Sequence, residues 1–126
     1  MIIGVGVDIE AVKSFRDKSF QKDHRFFERV FSESELKYCK KFSDSSPRLA
    51  ARFCAKEAAV KAASSVAKLT ISDVEVGLKK NGAPYLQART ARPEVKKLFQ
   101  KYHFHLSLSH TTQKAAAFVV LEKKQR

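Results

Sequence analysis

Three carboxylates in two separate stretches are the residues of this sequence that best suit chemistry. Asp8 and Glu10 stand two residues apart near the N terminus, and Glu57 lies in an alanine-rich segment much further along. Carboxylate oxygens are the ligands that hard cations such as Mg²⁺ prefer, and a bound Mg²⁺ commonly keeps waters that a phosphate can replace. If the fold brings the two stretches together, the sequence predicts a Mg²⁺ site beside a phosphate-bearing ligand.

Two lysines near Glu57 bear on that hypothesis. Lys56 falls in the apolar stripe of a predicted helix. It either faces a phosphate, where a fixed positive charge stabilises charge that builds up during transfer, or covers the core with its stem while its ammonium group reaches water. Lys61 could support the same anion. The competing interpretation is that Lys61 only pairs with Glu57 and that Asp8 simply ends a strand.

The histidines are a second group of candidates. His110, followed by Thr111, lies in a polar loop between two predicted strands and offers donors suited to phosphate oxygens. His103 and His105 share one face of a strand, but a zinc site needs more ligands than these two. We therefore interpret His103 and His105 as surface or subunit-interface residues.

A long central helix over residues 46–63 must position Glu57. Ser46 suits the N-cap and Pro47 the first helical position, and small residues, mostly alanine, cover most of the remaining surface. A helix lined by small residues on nearly all sides is usually enclosed by neighbours. We therefore expect the charges in its middle to lie in or beside a packed interior.

A strand over residues 1–10 must position the other two carboxylates. Apolar residues alternate there with a second face that carries Gly4, Gly6, Asp8 and Glu10. Glycines weaken strands, so two on one face suggest that another element packs closely against bare backbone. If that element is the central helix, the carboxylates of the strand emerge near the carboxylate of the helix.

Periodicity and turn signals predict the remaining elements. They are a short helix within 11–20, a helix over 25–31, a helix opened by the capping box of Ser32 and Glu35, a hairpin over 74–86 that turns at Asn81-Gly82, a helix over 93–102, and strands over 103–109 and 115–121. We predict an α+β fold in a single domain over 1–126, with an antiparallel sheet packed on the central helix.

The charge of the chain predicts an acidic partner. Lys and Arg number 25 against 13 Asp and Glu, a formal net charge of +12. That balance suits nucleic acid, an anionic membrane, a phosphorylated ligand or an acidic protein. No nucleic-acid-binding motif accompanies it, and no segment approaches the roughly 20 apolar residues of a membrane span. Two cysteines without metal-binding spacing agree with a reduced, soluble, cytoplasmic protein.

Five motifs, in this order and spacing, resemble those of the holo-acyl-carrier-protein synthases, the small members of the 4′-phosphopantetheinyl transferases. The match spans nearly the whole chain. The motifs are Gly-Val-Gly-Val-Asp-Ile-Glu at 4–10, the stretch from Arg25-Phe26 to Ser34-Glu35-Leu36, Arg-Phe-Cys-Ala-Lys-Glu-Ala at 52–58, Asn-Gly-Ala-Pro-Tyr at 81–85 and Leu-Ser-Leu-Ser-His-Thr at 106–111.

The resemblance implies an enzyme that moves the phosphopantetheine arm of coenzyme A onto a serine of an acyl carrier protein and releases adenosine 3′,5′-bisphosphate. Asp8 and Glu57 would hold Mg²⁺, with Glu10 as a third ligand. Lys56 would contact the phosphates and protonate or neutralise the leaving group. Either Glu57 or a metal-bound water would be the general base.

The resemblance also implies partners and further contacts. A homotrimer with three interfacial sites is implied, in which coenzyme A would contact Lys61, Asn81, Gly82, Pro84, His110 and Thr111. The acidic carrier protein would dock on basic residues and one apolar anchor, namely Lys13, Arg16, Arg25, Arg52 and Phe26. Departures from the usual family pattern, which put details of the carrier and coenzyme A contacts in question, occur at Ser14, Ser64-Ser65 and Ala83. The rival hypotheses are a nucleic-acid-binding module and a non-catalytic binder of coenzyme A or carrier protein.

Overall fold

The computed structural model describes residues 1–125, which contain five α-helices and five strands. In chain order they are β1 (Ile2–Ala11), α1 (Lys13–Arg16), α2 (His24–Val30), α3 (Glu33–Cys39), α4 (Ser46–Ala63), β2 (Val74–Leu78), β3 (Pro84–Ala88), α5 (Pro93–Lys101), β4 (Tyr102–His110) and β5 (Lys114–Lys123), with a 3₁₀ turn at Ile71–Asp73 before β2. The α+β fold class is therefore confirmed.

The strands form two antiparallel units. The larger sheet has the order β1-β5-β4, and β2 and β3 form a separate hairpin. Gly82, in the hairpin turn, has a φ of 87°, the left-handed conformation that glycine adopts without strain. In the larger sheet Gly6 pairs with Val119 and Asp8 with Ala117, so the strand predicted at the N terminus lies beside the apolar C-terminal strand.

The central helix α4 packs against the glycine face of β1. A Cβ on Gly4 would overlap the carbonyl oxygen of Ala62, and one on Gly6 would overlap that of Ala58. Only glycine allows the helix to approach this closely, as the sequence pattern predicts. The inner side chains of β5, namely Ala115, Ala117, Val119 and Leu121, complete the buried layer beneath α4.

The other face of β1 is open. The side chains of Val5, Val7 and Ile9 are 58%, 59% and 65% exposed, and Phe118 of β5, which pairs with Val7, is 49% exposed. One sheet face therefore packs on α4 and the other presents a contiguous apolar surface, which in soluble proteins usually marks an interaction site.

The helix starts largely agree with the sequence patterns. The capping box of α3 is present, with the Ser32 side chain accepting from the N–H of Glu35 and the Glu35 side chain accepting from the N–H of Ser32. The predicted N-cap of α4 is one residue off, since Ser45 is the N-cap and Ser46 the first helical residue. The carboxylate of Asp44 accepts the Ser46 N–H at 3.0 Å instead.

Within residues 1–125, none of the helices combines the length and the apolar character needed to cross a membrane.

Candidate active site

The carboxylates of β1 and α4 converge at the end of the glycine face. The Asp8 side chain is only 11% exposed. Burial is the largest cause that raises the pKa of Glu10 to about 7, followed by the neighbouring Asp8 side chain and the negative charge of Glu57. A pKa raised in this way is typical of a partly buried carboxylate that lies close to other carboxylates. Asp8, Glu10 and Glu57 therefore lie close enough for their charges to interact.

Lys61 is the cation that reaches this site. Its Nζ donates to the backbone oxygen of Val7 at 2.9 Å and to Oδ1 of Asp8 at 3.3 Å, while its side chain remains 54% exposed. The ion pair that Lys61 forms is therefore with Asp8 and not with Glu57, so the interpretation of Lys61 and Glu57 as a simple helix-surface pair is wrong.

One carboxylate oxygen of the site is buried and could bind a cation. Oδ2 of Asp8 is buried and has no hydrogen-bond partner in the described residues. No group of three His, Cys, Asp or Glu side chains between residues 1 and 125 is already arranged around a metal position. An unpaired buried carboxylate oxygen is costly, and a hard cation is the ligand that would relieve it. The carboxylate oxygens of Asp8, Glu10 and Glu57 are therefore chemically suited to bind Mg²⁺.

Lys56 does not belong to this site, and the prediction that it contacts phosphate is corrected by the structure. Its side chain is 0% exposed, and Nζ donates to Oε1 of Glu35 at 2.8 Å and to the backbone oxygen of Val74 at 2.7 Å. Successive helical residues project about 100° apart, so Lys56 and its neighbour Glu57 face different surroundings. Burial lowers the pKa of the Lys56 ammonium group, and the Glu35 carboxylate opposes that shift.

A second cluster gathers around a cleft of about 270 Å³ between α4 and the β2–β3 hairpin. Its walls include Arg48, Arg52, His110, Gly82 and Pro84. The resemblance implies coenzyme A contacts for the last three, and the structure brings them together with two arginines. Such a combination of guanidinium groups, an imidazole and backbone suits a phosphate group.

Arg52 therefore has a different position from the one predicted. The resemblance implies a position on the rim that meets the carrier protein, but only 4% of the residue is exposed. Its guanidinium group lies 4.5 Å from the centroid of the Tyr38 ring, and its Nε is buried without a hydrogen-bond partner in the described part of the chain. Arg52 lines the cleft and does not form part of the outer rim.

Two further residues assigned to coenzyme A stabilise turns beside this cleft. Oδ1 of Asn81 accepts the N–H of Ala83 at 2.9 Å, which closes the hairpin turn. Oγ1 of Thr111 accepts the N–H of Gln113 and that of Lys114, both at 3.1 Å, which orders the loop after β4. Both residues are exposed.

The remaining basic candidates lie on α1 and α2. Lys13 pairs with Asp17 at 2.5 Å, and Arg16 pairs with Asp44 at 2.9 Å, in both cases at the surface. Arg25 is exposed, and Phe26 is half-buried in a cluster of phenylalanines. That cluster includes Phe53 of α4, whose ring centroid is 6.4 Å from that of Phe26, so a partly apolar surface continues along α4 towards Glu57.

Glu35 is the residue that sequence reasoning missed. Its carboxylate accepts from Lys56 Nζ, from Ser32 N–H and from Val76 N–H, and it is 1% exposed. The capping box identified Glu35 as a helix-start residue, but that motif uses only one of its oxygens. No local signal could show that this oxygen, Oε1, would also accept from the distant Lys56, or that Oε2 would accept from Val76 of β2.

Comparison with known proteins gives a consistent result over nearly the full length of the chain. Residues 4–120 match the 4′-phosphopantetheinyl transferase superfamily. The chain is 34% identical over 123 residues to the holo-[acyl-carrier-protein] synthase of Clostridium tetani, covering 97% of each. It is 38% identical over 122 residues to that of Thermodesulfovibrio yellowstonii, covering 96% of this chain and 99% of that protein.

Solved structures agree with the fold. The holo-(acyl-carrier-protein) synthase of Bacillus anthracis in complex with CoA (3′,5′-ADP) superposes with a TM-score of 0.72 at 32% identity, covering 98% of this chain and 99% of that one. The holo-[acyl-carrier-protein] synthase of Helicobacter pylori in complex with coenzyme A gives a TM-score of 0.77 at 28% identity, covering 94% and 99%.

Proposed function

The chain belongs to the 4′-phosphopantetheinyl transferase superfamily, and on this basis we propose that it transfers the 4′-phosphopantetheine group of coenzyme A to a serine of an apo acyl carrier protein. The observation that carries the proposal is the convergence of Asp8, Glu10, Glu57 and Lys61 on one site. Three carboxylates and one lysine suit a cation that holds a pyrophosphate, and they have no evident role in a binding module.

Asp8, Glu57 and Glu10 would hold Mg²⁺, which when bound polarises the phosphoryl group and offsets its negative charge. In the chain without the cation, Lys61 balances part of that charge by pairing with Asp8. Its side chain is 54% exposed, so its ammonium group could turn from Asp8 towards a phosphate oxygen. We therefore assign to Lys61 the stabilisation of the pyrophosphate that the sequence pattern assigned to Lys56.

The transfer is a displacement at phosphorus. The hydroxyl oxygen of the carrier serine forms a bond to the phosphorus of the phosphopantetheine group, and the bond from that phosphorus to the bridging oxygen breaks, releasing adenosine 3′,5′-bisphosphate. The serine proton passes to a base. Glu57 is half-buried at this site and has no salt bridge to another side chain among the described residues, and either it or a water held beside it receives the proton.

A complete site needs a second copy of the chain. The cleft with Arg48, Arg52 and His110 suits phosphate, yet it lies on the hairpin side of α4, whereas the carboxylates lie on the β1 side. We propose that the apolar face of β1 and β5 joins copies into a homotrimer, so that the cleft of one copy completes the carboxylate site of its neighbour. The exposed Val5, Val7, Ile9 and Phe118 support this arrangement.

The acidic carrier protein docks beside the transfer site. Lys13, Arg16 and Arg25 are exposed on α1 and α2, and Phe26 offers an apolar contact next to them. With a formal net charge of +12, the chain attracts an acidic partner and speeds its encounter. Both cysteines are free thiols, which agrees with the reducing conditions of the cytoplasm.

The test is a transfer reaction followed by mass spectrometry. The purified protein is incubated with coenzyme A, Mg²⁺ and an apo carrier protein, and the carrier is weighed. We expect a mass gain equal to one phosphopantetheine group and the appearance of adenosine 3′,5′-bisphosphate. An unmodified carrier in the presence of measurable coenzyme A binding would instead indicate a non-catalytic binder. Salt-sensitive binding of DNA or RNA without transfer would indicate a nucleic-acid-binding module.

A further inference from the structure

One edge of the β2–β3 hairpin is closed by side chains from outside the hairpin. The N–H of Lys79 donates to the oxygen of Ala83, so the odd-numbered residues of β2 carry the hydrogen bonds to β3. Because these bonds alternate along a strand, the backbone groups of Val74 and Val76 point to the opposite edge. Buried backbone groups of this kind need partners.

Glu35 and Lys56 supply those partners. The N–H of Val76 donates to Oε2 of Glu35 at 2.7 Å, and Nζ of Lys56 donates to the oxygen of Val74 at 2.7 Å. The two side chains are joined to each other at 2.8 Å between Lys56 Nζ and Glu35 Oε1. Together they present one acceptor and one donor to β2, as a neighbouring strand would.

We call this pair the Glu35–Lys56 clamp. Both side chains are 0% exposed, and they join α3, α4 and β2 at one point. Fold stability alone is a weak explanation for it, because apolar residues of similar volume often serve as well as a buried ion pair or better. Nothing in the proposed transfer reaction uses the clamp directly, so its role must lie in what it holds in place.

What the clamp holds in place is one wall of the phosphate-binding cleft. Leu78, Gly82 and Pro84 of the hairpin region form that wall, and Arg48 and Arg52 of α4 form the opposite one. Lys56 is one helical turn beyond Arg52, on the same side of α4. A smaller cavity of about 150 Å³, lined by Glu35 and the middle of β2, shares Tyr38, Arg52 and Leu78 with the cleft.

We propose that the Glu35–Lys56 clamp is a positioning device that sets the width of this cleft, so that its arginines and His110 can bind a phosphate group of coenzyme A. The inference rests on the proposed function and adds to it a determinant of coenzyme A affinity remote from the reacting atoms. Glu35 and Lys56 act through the hairpin and touch neither coenzyme A nor the carrier serine.

The test compares Glu35→Gln, Lys56→Met and the double variant Glu35→Leu/Lys56→Met in the full-length protein. Transfer kinetics give KM for coenzyme A and kcat, calorimetry gives the affinity for coenzyme A, and thermal unfolding gives the midpoint. We expect each single variant to raise KM by about tenfold, the factor expected when one charge-assisted hydrogen bond to phosphate is weakened, with little change in kcat.

The double variant separates positioning from stability. Its apolar pair removes the unpaired buried charge that each single variant leaves, so its thermal midpoint should lie above those of the single variants. It still lacks the partners of Val74 and Val76, so its KM should stay raised. Val76→Pro is a further variant that removes the N–H donor to Glu35, together with the buried valine side chain, while it keeps the ion pair and the hydrogen bonds between β2 and β3.

Leu98→Ala in α5 is the matched control, since it destabilises the core away from the clamp. A raised KM in Leu98→Ala at a similar thermal midpoint would overturn the inference, and so would an unchanged KM in Val76→Pro and in whichever clamp variants fold. If the wild-type protein binds coenzyme A but modifies no carrier, the proposed function fails and the calorimetric affinities of the same variants still decide the role of the clamp. Absence of coenzyme A binding by the wild type would overturn both.

Discussion

Gly6 of β1 lies directly against the carbonyl oxygen of Ala58 in α4, with no space for a Cβ between them. Since β1 carries Asp8 and α4 carries Glu57, the closeness of this contact determines how near the two carboxylates come. The backbone packing and the chemistry of the site are therefore consequences of the same pair of elements.

Gly6→Ala should destabilise the fold and impair the site together. The added methyl group forces α4 away from β1, and overpacking of this kind typically costs about 1–3 kcal/mol in the free energy of unfolding. Urea unfolding measures the loss, and the transfer assay measures the activity of the fraction that remains folded. We expect both to fall.

Gly77→Ala is the control for this change. The nearest atoms to an added Cβ there belong to the ring of Tyr85, the closest at 2.5 Å, and a side chain can turn aside where a backbone cannot. Equal losses of stability in Gly6→Ala and Gly77→Ala would contradict the close packing of α4 on β1.

Asp8→Asn and Glu57→Gln should each reduce transfer by about 100-fold or more, because charge stabilisation in the transition state is lost. The thermal midpoint of Asp8→Asn should change little, because the loss of the ion pair with the half-exposed Lys61 is offset by the removal of a buried charge that has an unpartnered oxygen. Steady-state transfer rates and thermal unfolding of the same samples give both quantities. Removal of Mg²⁺ by a chelator should abolish transfer in the wild type.

Glu94→Gln on the exposed surface of α5 serves as the control for those carboxylate changes, and we expect it to transfer at the wild-type rate. A wild-type rate in Asp8→Asn would show that the carboxylate site has been wrongly assigned.

Phe118→Asp and Val5→Asp should convert the protein to a monomer. Both side chains are about half-exposed on the outer face of the sheet, and a charge there cannot be buried against another copy without a partner. Light scattering coupled to size exclusion gives the mass of the particle. The monomeric variants should remain folded and lose transfer, because the cleft and the carboxylates would no longer come from two copies.

Lys96→Asp, a comparable charge change on the exposed face of α5, should leave the assembly as it is. An unchanged particle mass in Phe118→Asp would argue against the outer sheet face as the subunit interface.

The two thiols should be unreactive in the folded protein at pH 8. Burial raises the pKa of Cys39 to about 11 and that of Cys54 to about 12, in the latter case with a contribution from Asp8 and then Glu10. Only the thiolate reacts with a disulfide reagent, so absorbance should show slow labelling of the native protein and two fast equivalents after unfolding. Immediate labelling of either thiol in the native protein would be the contrary result.

The same shifts give the stability a pH dependence. The unfolded thiols lose their protons near pH 9 and the folded ones only at higher pH, so the folded state binds more protons in between. The contribution of Cys39 and Cys54 to the free energy of unfolding is thus complete below about pH 9 and decreases as the pH rises above it. Urea unfolding at pH 8 and pH 10 tests the sign.

The packing of β1 on α4 could be predicted because it depends on local patterns. Gly4 and Gly6 alternate with apolar residues, and the alanines of the central helix repeat with its turn. Both elements therefore carry a face of small residues, which indicates that they pack closely on each other. The convergence of Asp8 and Glu57 followed from that pairing. Helix starts such as the capping box of Ser32 and Glu35 could likewise be predicted, because they depend on residues close together in the sequence.

The errors concern partners that are distant in sequence. A helical wheel shows that Lys56 is buried, but it cannot show that Glu35, 21 positions earlier, would meet it. Arg52 is basic and so suited a surface rim, yet Tyr38 and the hairpin enclose it. The alternation in β1 likewise identifies an apolar face without showing whether that face packs on the chain itself or on another copy.

Mutations on the two faces of β1 should have different effects in the cell, one on folding and the other on assembly. Substitutions at Gly4 and Gly6 should change folding within one copy, whereas those at Val5 and Val7 should change association if copies meet on the outer sheet face, as we propose. A mutational scan of Ile2–Ala11 that records protein abundance and activity separately should therefore show an alternation of phenotype with a period of two residues. Within this ten-residue strand, substitutions on the inner face would then lower protein abundance, and substitutions on the outer face would lower activity through loss of assembly.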